Sequence, residues 1–244
     1  MILAVAGGKG GVGKSTVAYN LGAALDGRED RRGRSRRIST STSTDARGAV
    51  VVDADLGMAN LPLGRGPDLH DVLAGRACPV EAVREGPVRL LPCGRSLAGA
   101  RAADLARLDD ALRAVEREYG DVIVDCPAGM RADAGVPLAV ADACLLVASP
   151  ASFALADAVR TRELARELDC GLVGVALNRA DPSASDRVEA FERILGAPVT
   201  PLPTDPALAR SVETGRPVVR ETPGSEATKR LGRLVDAVRS ANRV

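Results

Sequence analysis

Ten residues near the start of the chain, GGKGGVGKST (7–16), combine flexible glycines with two lysines and two hydroxyl side chains. They contain the pattern G-x-x-x-x-G-K-[ST], which ends at Lys14 and Ser15. Glycines let backbone N–H groups close around phosphate oxygens, and a helix that starts after them adds the partial positive charge of its N-terminus. The spacing predicts a phosphate-binding loop in which Lys14 reaches the β and γ phosphates, Ser15 binds Mg²⁺ and Thr16 reaches the α-phosphate. The predicted nucleotide contacts of this loop are Gly8, Lys9, Gly10, Gly11, Val12, Gly13, Lys14, Ser15 and Thr16.

The loop also stands out by its lysines. Only three of the 33 lysine and arginine residues are lysines, and two of them, Lys9 and Lys14, lie in this loop. A lysine offers a compact ammonium on a flexible chain, which can reach between phosphate oxygens as a point charge. Because an ordinary phosphate loop needs one lysine, Lys9 requires a role of its own.

Two later stretches supply the acidic side chains that a magnesium–nucleotide site requires. Asp53 and Asp55 follow an apolar run in VVVDADLGMANLP (50–62), and Asp125 follows another in DVIVDCPAG (121–129). Ligands of open α/β sheets bind outside the carboxyl ends of the strands. The three carboxylates are therefore expected close to the phosphate loop.

Short apolar runs alternate with helical-period segments along the whole chain, which is typical of a parallel sheet covered by helices on both faces. Helices are expected directly after the phosphate loop, over 105–119 and over 157–169. The predicted fold class is α/β, a three-layer P-loop NTPase fold with a mostly parallel sheet of about seven or eight strands, in one domain spanning residues 1–244. The predicted strands are 2–7, 49–55, 88–94, 121–127, 143–149, 171–178 and 198–203.

The sequence KGGVGK (9–14) is the variant phosphate loop of the MinD/ParA family of ATPases, which this chain resembles. The resemblance covers nearly the whole chain apart from residues 28–47. It is closest to MinD-like members, including archaeal-type and flagellar-placement relatives, because DADLGMANL (53–61) resembles their first switch segment. It implies that Lys9 reaches across a dimer interface to the partner's nucleotide, so that ATP lies between two subunits.

The resemblance also implies roles for the residues of the two acidic stretches. Asp55 would orient the attacking water with Asn60 beside it, and Asp53 would hold a Mg²⁺-bound water. Asp125 would hold Mg²⁺ through water, while residues 127–129 would sense the γ-phosphate. The implied catalytic residues are Lys9, Lys14, Asp55 and Asn60, and the implied metal-binding residues are Ser15, Asp53 and Asp125.

Two segments further along match the family's base site. Asn178, in VALNRAD (175–181), matches the residue whose amide reads the adenine edge. Pro203 and Asp205 match residues that border the base. The cofactors implied are ATP and Mg²⁺.

Partner surfaces are less defined in the sequence. Asp157 matches an acidic contact by which MinD engages partner proteins, and an ordinary surface acid is the alternative. The last segment, 225–244, has one apolar face that is needed to dock a helix on the sheet, and no Phe or Trp anchors follow it. A cytoplasmic protein is expected, with peripheral association at the inner face of the membrane left open.

Composition narrows the function classes. A formal net charge of +1 gives no global attraction to a polyanion, and an aromatic content of 2% without Trp argues against stacking platforms for single-stranded nucleic acid. Five cysteines without a CxxC pair indicate buried thiols rather than a disulfide framework, a clustered metal site or an iron–sulfur carrier. Residues 28–47, with seven Arg and a Ser/Thr repeat, are predicted to form a disordered surface insertion.

The sequence therefore favours an ATP-binding, slowly hydrolysing molecular switch that forms an ATP-sandwich homodimer and positions a cellular component in division, motility or chromosome organisation. One alternative is a ParA-type DNA partition ATPase, for which Arg210, Arg216 and Arg220 are candidate DNA contacts. Another is an enzyme that phosphorylates a small molecule, although the chain shows no separate constellation for a second substrate.

Overall fold

The computed structural model describes residues 1–26, 48–57, 59–62, 64–129, 132–151, 153–181, 183 and 185–242. Its strands are β1 (Ile2–Ala6), β2 (Gly48–Asp53), β3 (Arg89–Leu91), β4 (Gly120–Asp125), β5 (Ala143–Ala148), β6 (Gly171–Asn178) and β7 (Val199–Leu202). They form one seven-stranded sheet in the order β3-β2-β4-β1-β5-β6-β7, and every neighbouring pair is parallel. The predicted α/β class and its parallel sheet are confirmed.

Helices connect and cover the strands. Those described are α1 (Lys14–Leu25), α2 (Leu69–Leu73), α3 (Pro79–Ala82), α4 (Leu97–Ala102), α5 (Leu108–Tyr119), α6 (Ala132–Val140), α7 (Ala154–Glu167), α8 (Ser185–Leu195), α9 (Pro206–Thr214), α10 (Val218–Glu221) and α11 (Glu226–Ala241). A short 3₁₀ turn, Leu105–Arg107, precedes α5, so the helix predicted over 105–119 begins with tighter geometry.

Each face of the sheet has its own apolar core because successive side chains of a strand point to opposite sides. In β1, Leu3 and Val5 pack with residues of α1, α9, α10 and α11. Ile2 and Ala4 pack on the other face with residues of α5, α6, α7 and α8. Since both faces are covered, the strands read as continuous apolar runs.

Several boundaries differ from the sequence prediction. β2 ends at Asp53, so Asp55 lies in the loop that follows the strand. β3 is a three-residue strand rather than 88–94. The segment 28–47 lies outside the described residues, and the single-domain assignment stays a prediction.

The apolar face of the last helix is covered by the protein itself. The five residues expected to dock it are at most 6% exposed: Ala227, Leu231, Leu234, Val235 and Val238. The helices in the described ranges include none that is long and apolar enough to cross a bilayer.

Four of the five cysteines are buried as expected, but Cys78 is exposed. It is the N-cap residue of the four-residue helix α3, which leaves its side chain at the surface. The prediction of a buried thiol was wrong at this position because Cys78 lies at the start of a short helix on the surface.

Two helical glycines give opposite predictions for substitution by alanine. A Cβ on Gly22 of α1 would overlap a methyl group of Val51 in β2, whereas a Cβ on Gly232 of α11 meets nothing within 4 Å. Gly232→Ala should therefore raise the free energy of unfolding by about 0.5–1 kcal/mol, the usual gain in a helix interior. Gly22→Ala should lower it by about 1–3 kcal/mol through overpacking. Urea unfolding of both variants measures whether the free energy of unfolding rises or falls. Equal stabilisation of the two variants would contradict the close packing of α1 on β2.

Candidate nucleotide-binding site

The phosphate loop connects the carboxyl end of β1 to α1, in the context that the motif requires. Gly13 is the N-cap of α1, with φ of 101°, a left-handed conformation that glycine adopts without strain. A Cβ on Gly13 would also overlap the amide nitrogen of Asn178. The helix therefore starts with unpaired N–H groups beside a close-packed glycine turn, which favours binding of an anion.

A cavity of about 600 Å³ lies over this loop. Its volume falls within the roughly 300–1,000 Å³ typical of small-molecule sites. The loop, the segments that follow β2, β4 and β6, and helix α9 all contribute to its wall. The lining residues are Gly10, Gly11, Gly13, Lys14, Ser15, Thr16, Asp55, Gly57, Asn60, Pro127, Ala128, Arg179 and Val212. The structure thus brings together most of the phosphate-loop and switch residues predicted from the sequence.

Asp125 lies at the base of this site. It ends β4 beside Asp53, its register partner at the end of β2, and its side chain is fully buried. No hydrogen bond of normal geometry reaches either carboxylate oxygen, and the Ser15 hydroxyl is the nearby donor that favours the ionised form. Burial raises the pKa of Asp125 to about 8, and the charge of Asp53 adds to this rise, while Ser15 and Lys14 oppose it. A buried carboxylate with unused oxygens next to a serine hydroxyl fits an acceptor for a water ligand of Mg²⁺.

The described residues include no group of three or more His, Cys, Asp or Glu side chains arranged to hold a metal ion. A magnesium ion at a phosphate loop would take its ligands mainly from the loop hydroxyl, the phosphates and water. Ser15 and Asp125 are the two residues best placed to hold it.

Asp53 has a different environment from Asp125, although both are fully buried. Its carboxylate accepts hydrogen bonds from the backbone N–H groups of Asp55 (3.1 Å), Asn60 (2.9 Å) and Leu61 (3.0 Å). Burial raises the pKa of Asp53, and these three bonds oppose the rise. Asp53 therefore fixes the switch segment after β2, and its contact with a magnesium-bound water stays a prediction.

Asp55 and Asn60 face the cavity from that segment. The Asn60 amide donates to a carboxylate oxygen of Asp55 at 3.1 Å. Because Asp53 holds the backbone at both of these positions, the pair has a defined place over the phosphate loop. This arrangement suits a carboxylate that orients a water molecule, with an amide that orients the carboxylate.

The two loop lysines have separate environments. Lys14 is buried in the cavity wall, where its ammonium donates to the Lys9 carbonyl at 3.2 Å. Burial lowers the pKa of Lys14, and the charge of Asp125 opposes this shift. The ammonium of Lys9 instead lies on the outer side of the loop, 3.3 Å from Asp157 and 3.9 Å from the centre of the Phe153 ring. Both partners belong to the start of α7 and the residue before it.

Gly8 and Val12 share this outer side of the loop with Lys9. They lie against the end of β5 and the start of α7, and a Cβ on Gly8 would come within 2.8 Å of Asp157. The predicted loop residues therefore divide into a cavity side and an α7 side. Sequence spacing alone could not separate these two sides.

The predicted base-site residues have other hydrogen bonds in the structure. Asn178 donates from its amide to the Val12 carbonyl at 2.8 Å. The Asp205 carboxylate caps α9 by accepting from the N–H groups of Ala207 (2.7 Å) and Leu208 (3.0 Å). Pro203 is half-buried, just beyond the end of β7. Base contacts by Asn178, Pro203 and Asp205 stay predictions.

Sequence reasoning missed two cavity residues, Arg179 and Val212. Arg179 has φ of 59° and follows the predicted Asn178, so a cation directly after a polar strand end was the available signal. Val212 belongs to the amphipathic helix α9, where a residue that faces a ligand looks the same as a core residue.

Comparison with known proteins agrees with this geometry. Residues 3–32 match the family model described as the CobQ/CobB/MinD/ParA nucleotide binding domain. An ATP-binding protein of Methanocaldococcus jannaschii is 32% identical over 94% of this chain and 84% of its own length. The septum site-determining protein MinD of Synechocystis is 30% identical over 90% of this chain and 82% of its own length. The chain belongs to the MinD/ParA family of ATPases.

A solved structure extends the similarity to the fold. It is the septum site-determining protein MinD of Pyrococcus horikoshii complexed with Mg-ADP, which superimposes with a TM-score of 0.80 at 27% identity. The match covers 97% of this chain and 95% of that one. The MinD/ParA assignment made from the loop and switch motifs is thus confirmed, on the MinD side of the family.

The contrast between the two buried carboxylates predicts opposite effects on stability. Asp53→Asn replaces an oxygen that accepts N–H groups by an amide that also donates, so the free energy of unfolding should fall by about 1–3 kcal/mol. Burial keeps the Asp125 carboxyl largely protonated at pH 7, whereas the unfolded chain ionises it, so folding includes the cost of protonating this group. Asp125→Asn removes that cost, and the metal-free protein should be equally or more stable. Urea unfolding in EDTA measures both changes.

Titration with ADP, with and without Mg²⁺, completes this comparison. Asp125→Asn should lose most of the gain in affinity that Mg²⁺ provides. Strong destabilisation of Asp125→Asn in EDTA would contradict our interpretation that the Asp125 carboxylate makes no stabilising hydrogen bond in the metal-free protein.

Proposed function

We propose that the protein is an ATP-driven molecular switch that binds ATP and Mg²⁺ as a monomer and dimerises around the nucleotide. The observation that carries this proposal is the separation of the two loop lysines. Lys14 faces the cavity of its own subunit, whereas Lys9 projects from the opposite side of the same loop with half of its side chain exposed. Lys9 is therefore available to a second subunit.

Nucleotide binding follows from the residues that line the cavity. The N–H groups at the start of α1 and the Lys14 ammonium are placed to meet the phosphates, and Ser15 and Asp125 would hold Mg²⁺. The ion, when bound, neutralises charge on the phosphate oxygens. The M. jannaschii and P. horikoshii relatives support ATP and Mg²⁺ as the cofactors.

Hydrolysis rests on positioning rather than on a covalent intermediate. Asp55 orients water toward the γ-phosphate, and Asn60 holds Asp55 through the 3.1 Å hydrogen bond. Lys14 stabilises charge that develops on the phosphate oxygens. In this proposal, the site gains a further cation, Lys9 of the second subunit, only when two subunits associate. The monomer therefore hydrolyses ATP slowly, as expected for a low-turnover switch.

Dimerisation requires Lys9 to leave its contacts within the monomer. The Lys9 side chain is half exposed, but Asp157 is only 17% exposed and its Oδ2, which faces the ammonium, is buried. Release of Lys9 therefore costs more than breaking a surface ion pair and requires a stronger anionic partner. Phosphate charge in a closed interface is a stronger partner for an ammonium. ATP thus moves Lys9 from α7 to the nucleotide of the partner subunit.

The cellular role follows from the family. One relative at 30% identity is a septum site-determining protein, and we propose that this protein likewise positions a cellular component. Helix α7, which carries Asp157, is the proposed surface for a regulator or cargo. Two of the arginines considered for DNA already lie near acids, Arg216 at 3.4 Å from Glu221 and Arg220 at 4.0 Å from Asp26, so a DNA-binding role is the weaker alternative.

The dimer is tested by locking the protein in its ATP state. Asp55→Ala should bind ATP and Mg²⁺ without hydrolysing it and should accumulate as a dimer in light scattering after size exclusion. The double variant Lys9→Ala, Asp55→Ala should bind ATP but stay monomeric, and Lys14→Ala should bind no nucleotide. An Asp55→Ala protein that stays monomeric in saturating ATP would refute the sandwich.

Co-sedimentation of the locked dimer with liposomes, and separately with DNA, identifies the surface on which it acts.

Release of Lys9 from α7 is tested separately. Asp157→Asn removes the ion pair and keeps the shape of the side chain, so the ATP-dependent dimer should form at a roughly two- to fivefold lower protein concentration. Arg160→Ala is the matched control, because Arg160 contacts the other oxygen of Asp157 at 3.2 Å. A weaker dimer in Asp157→Asn would show that Asp157 contacts the partner subunit instead.

A further inference from the structure

Two consecutive residues at the end of β6 hold two consecutive carbonyl groups of the phosphate loop. The Arg179 guanidinium donates to the Gly11 carbonyl at 2.9 Å, and the Asn178 amide donates to the Val12 carbonyl at 2.8 Å. These residues lie more than 160 positions from the loop in sequence. No other strand end in the described ranges contributes side chains to both carbonyls.

The direction of these carbonyls sets the direction of the N–H groups that bind phosphate. In a planar trans peptide, the C=O of one residue and the N–H of the next point in opposite directions. Because Arg179 and Asn178 fix the directions of the Gly11 and Val12 carbonyls, they also fix the directions of the N–H groups of Val12 and Gly13. A carbonyl turned inward would instead repel the phosphate oxygens.

The backbone at Arg179 is itself held in an unusual conformation. Its φ of 59° lies in the left-handed region, which an arginine adopts only at a cost. The Asn178 side chain accepts a hydrogen bond from the Arg179 N–H at 3.1 Å and so stabilises this turn. The same Asn178 amide packs so closely on Gly13 that a Cβ there would overlap it. One residue thus fixes both the turn that carries Arg179 and the end of the loop.

We infer that Asn178 and Arg179 are positioning residues that hold the phosphate loop in its phosphate-binding conformation. This inference rests on the nucleotide binding in the proposed function and adds a role that the motif residues do not contain. It also adds a role for Asn178, whose amide acts on the loop, while its contact with the adenine edge stays a prediction. Arg179 acts through Gly11, although its side chain lines the same cavity.

The test separates the phosphates from the base. Calorimetric titration with Mg²⁺–pyrophosphate, ADP and GDP compares the native protein with Arg179→Gly and Arg179→Ala. The positioning role predicts that all three ligands weaken by a similar factor, about three- to tenfold. A loss confined to ADP, with unchanged pyrophosphate affinity, would overturn it, because Arg179 would then contact the base or sugar. Unchanged affinity for all three would overturn it as well.

The choice of Arg179→Gly protects the test from unfolding. Glycine adopts the left-handed conformation freely, so the unfolding temperature should stay equal or rise while the affinity falls. Repeating the titrations in 0.5 M salt distinguishes the hydrogen bond from a long-range effect of charge. A loss that disappears in high salt would overturn the inference, since screening removes only the charge effect. Arg193→Ala, at an exposed arginine of α8, is the matched control and should leave all affinities unchanged.

These measurements use the monomer and need neither ATP hydrolysis nor dimer formation. A protein that binds pyrophosphate and ADP normally but never dimerises would refute the proposed switch and leave the positioning role intact. Equal pyrophosphate affinity in Arg179→Gly and in the native protein would refute the positioning role and leave the proposed switch intact.

Discussion

A buried carboxylate without a hydrogen-bond donor is the constraint on which the site depends. Asp125 ends a central strand of the sheet, so the covered core prevents it from moving to water. A charge in this position is tolerated when a cation and its ligands are brought to it. Lys14, Ser15 and the cavity above them provide the place for that cation and for the phosphates that accompany it. Without a ligand, burial keeps Asp125 largely protonated at neutral pH, and a bound cation is the group that would favour its ionised form.

The loops around Asp125 are held by side chains at the ends of strands. Loops lack the regular hydrogen bonds of helices and strands, so their backbone groups need other partners. Asp53 supplies acceptors for three N–H groups of the switch segment. Asn178 and Arg179 supply donors for two carbonyls of the phosphate loop. An acid thus holds N–H groups on one side of the cavity, and two donors hold carbonyls on the other, so both loops present defined groups to the ligand.

The sequence predicted the seven strands because each is a continuous apolar run, and it predicted the loop because its pattern lies between a strand and a helix. The register of Asp53 with Asp125 follows from parallel strands that end together. The sequence could not distinguish the two carboxylates, because the three bonds to Asp53 and the lack of bonds to Asp125 arise only when the chain folds. The contacts of Arg179 and Asn178 were also hidden, since they join residues far apart in the chain. Strand boundaries were wrong by one to three residues where loop residues such as Asp55 continue an alternating pattern.

The position of Lys9 connects these local arrangements to association between subunits. Residues 9 to 12 of the loop are held from two directions, by Asp157 and Phe153 on one side and by Asn178 and Arg179 on the other. The second set holds backbone groups, so it can persist while a side chain moves. The Lys9 carbonyl accepts from the Lys14 ammonium, whereas the Lys9 side chain is held through its own half-exposed ammonium, against Asp157 and the Phe153 ring. In the switch that we propose, a loop with a fixed backbone keeps its own phosphates bound while the Lys9 side chain changes partners. The same proposal has one short loop both bind a nucleotide and signal its presence to a second subunit.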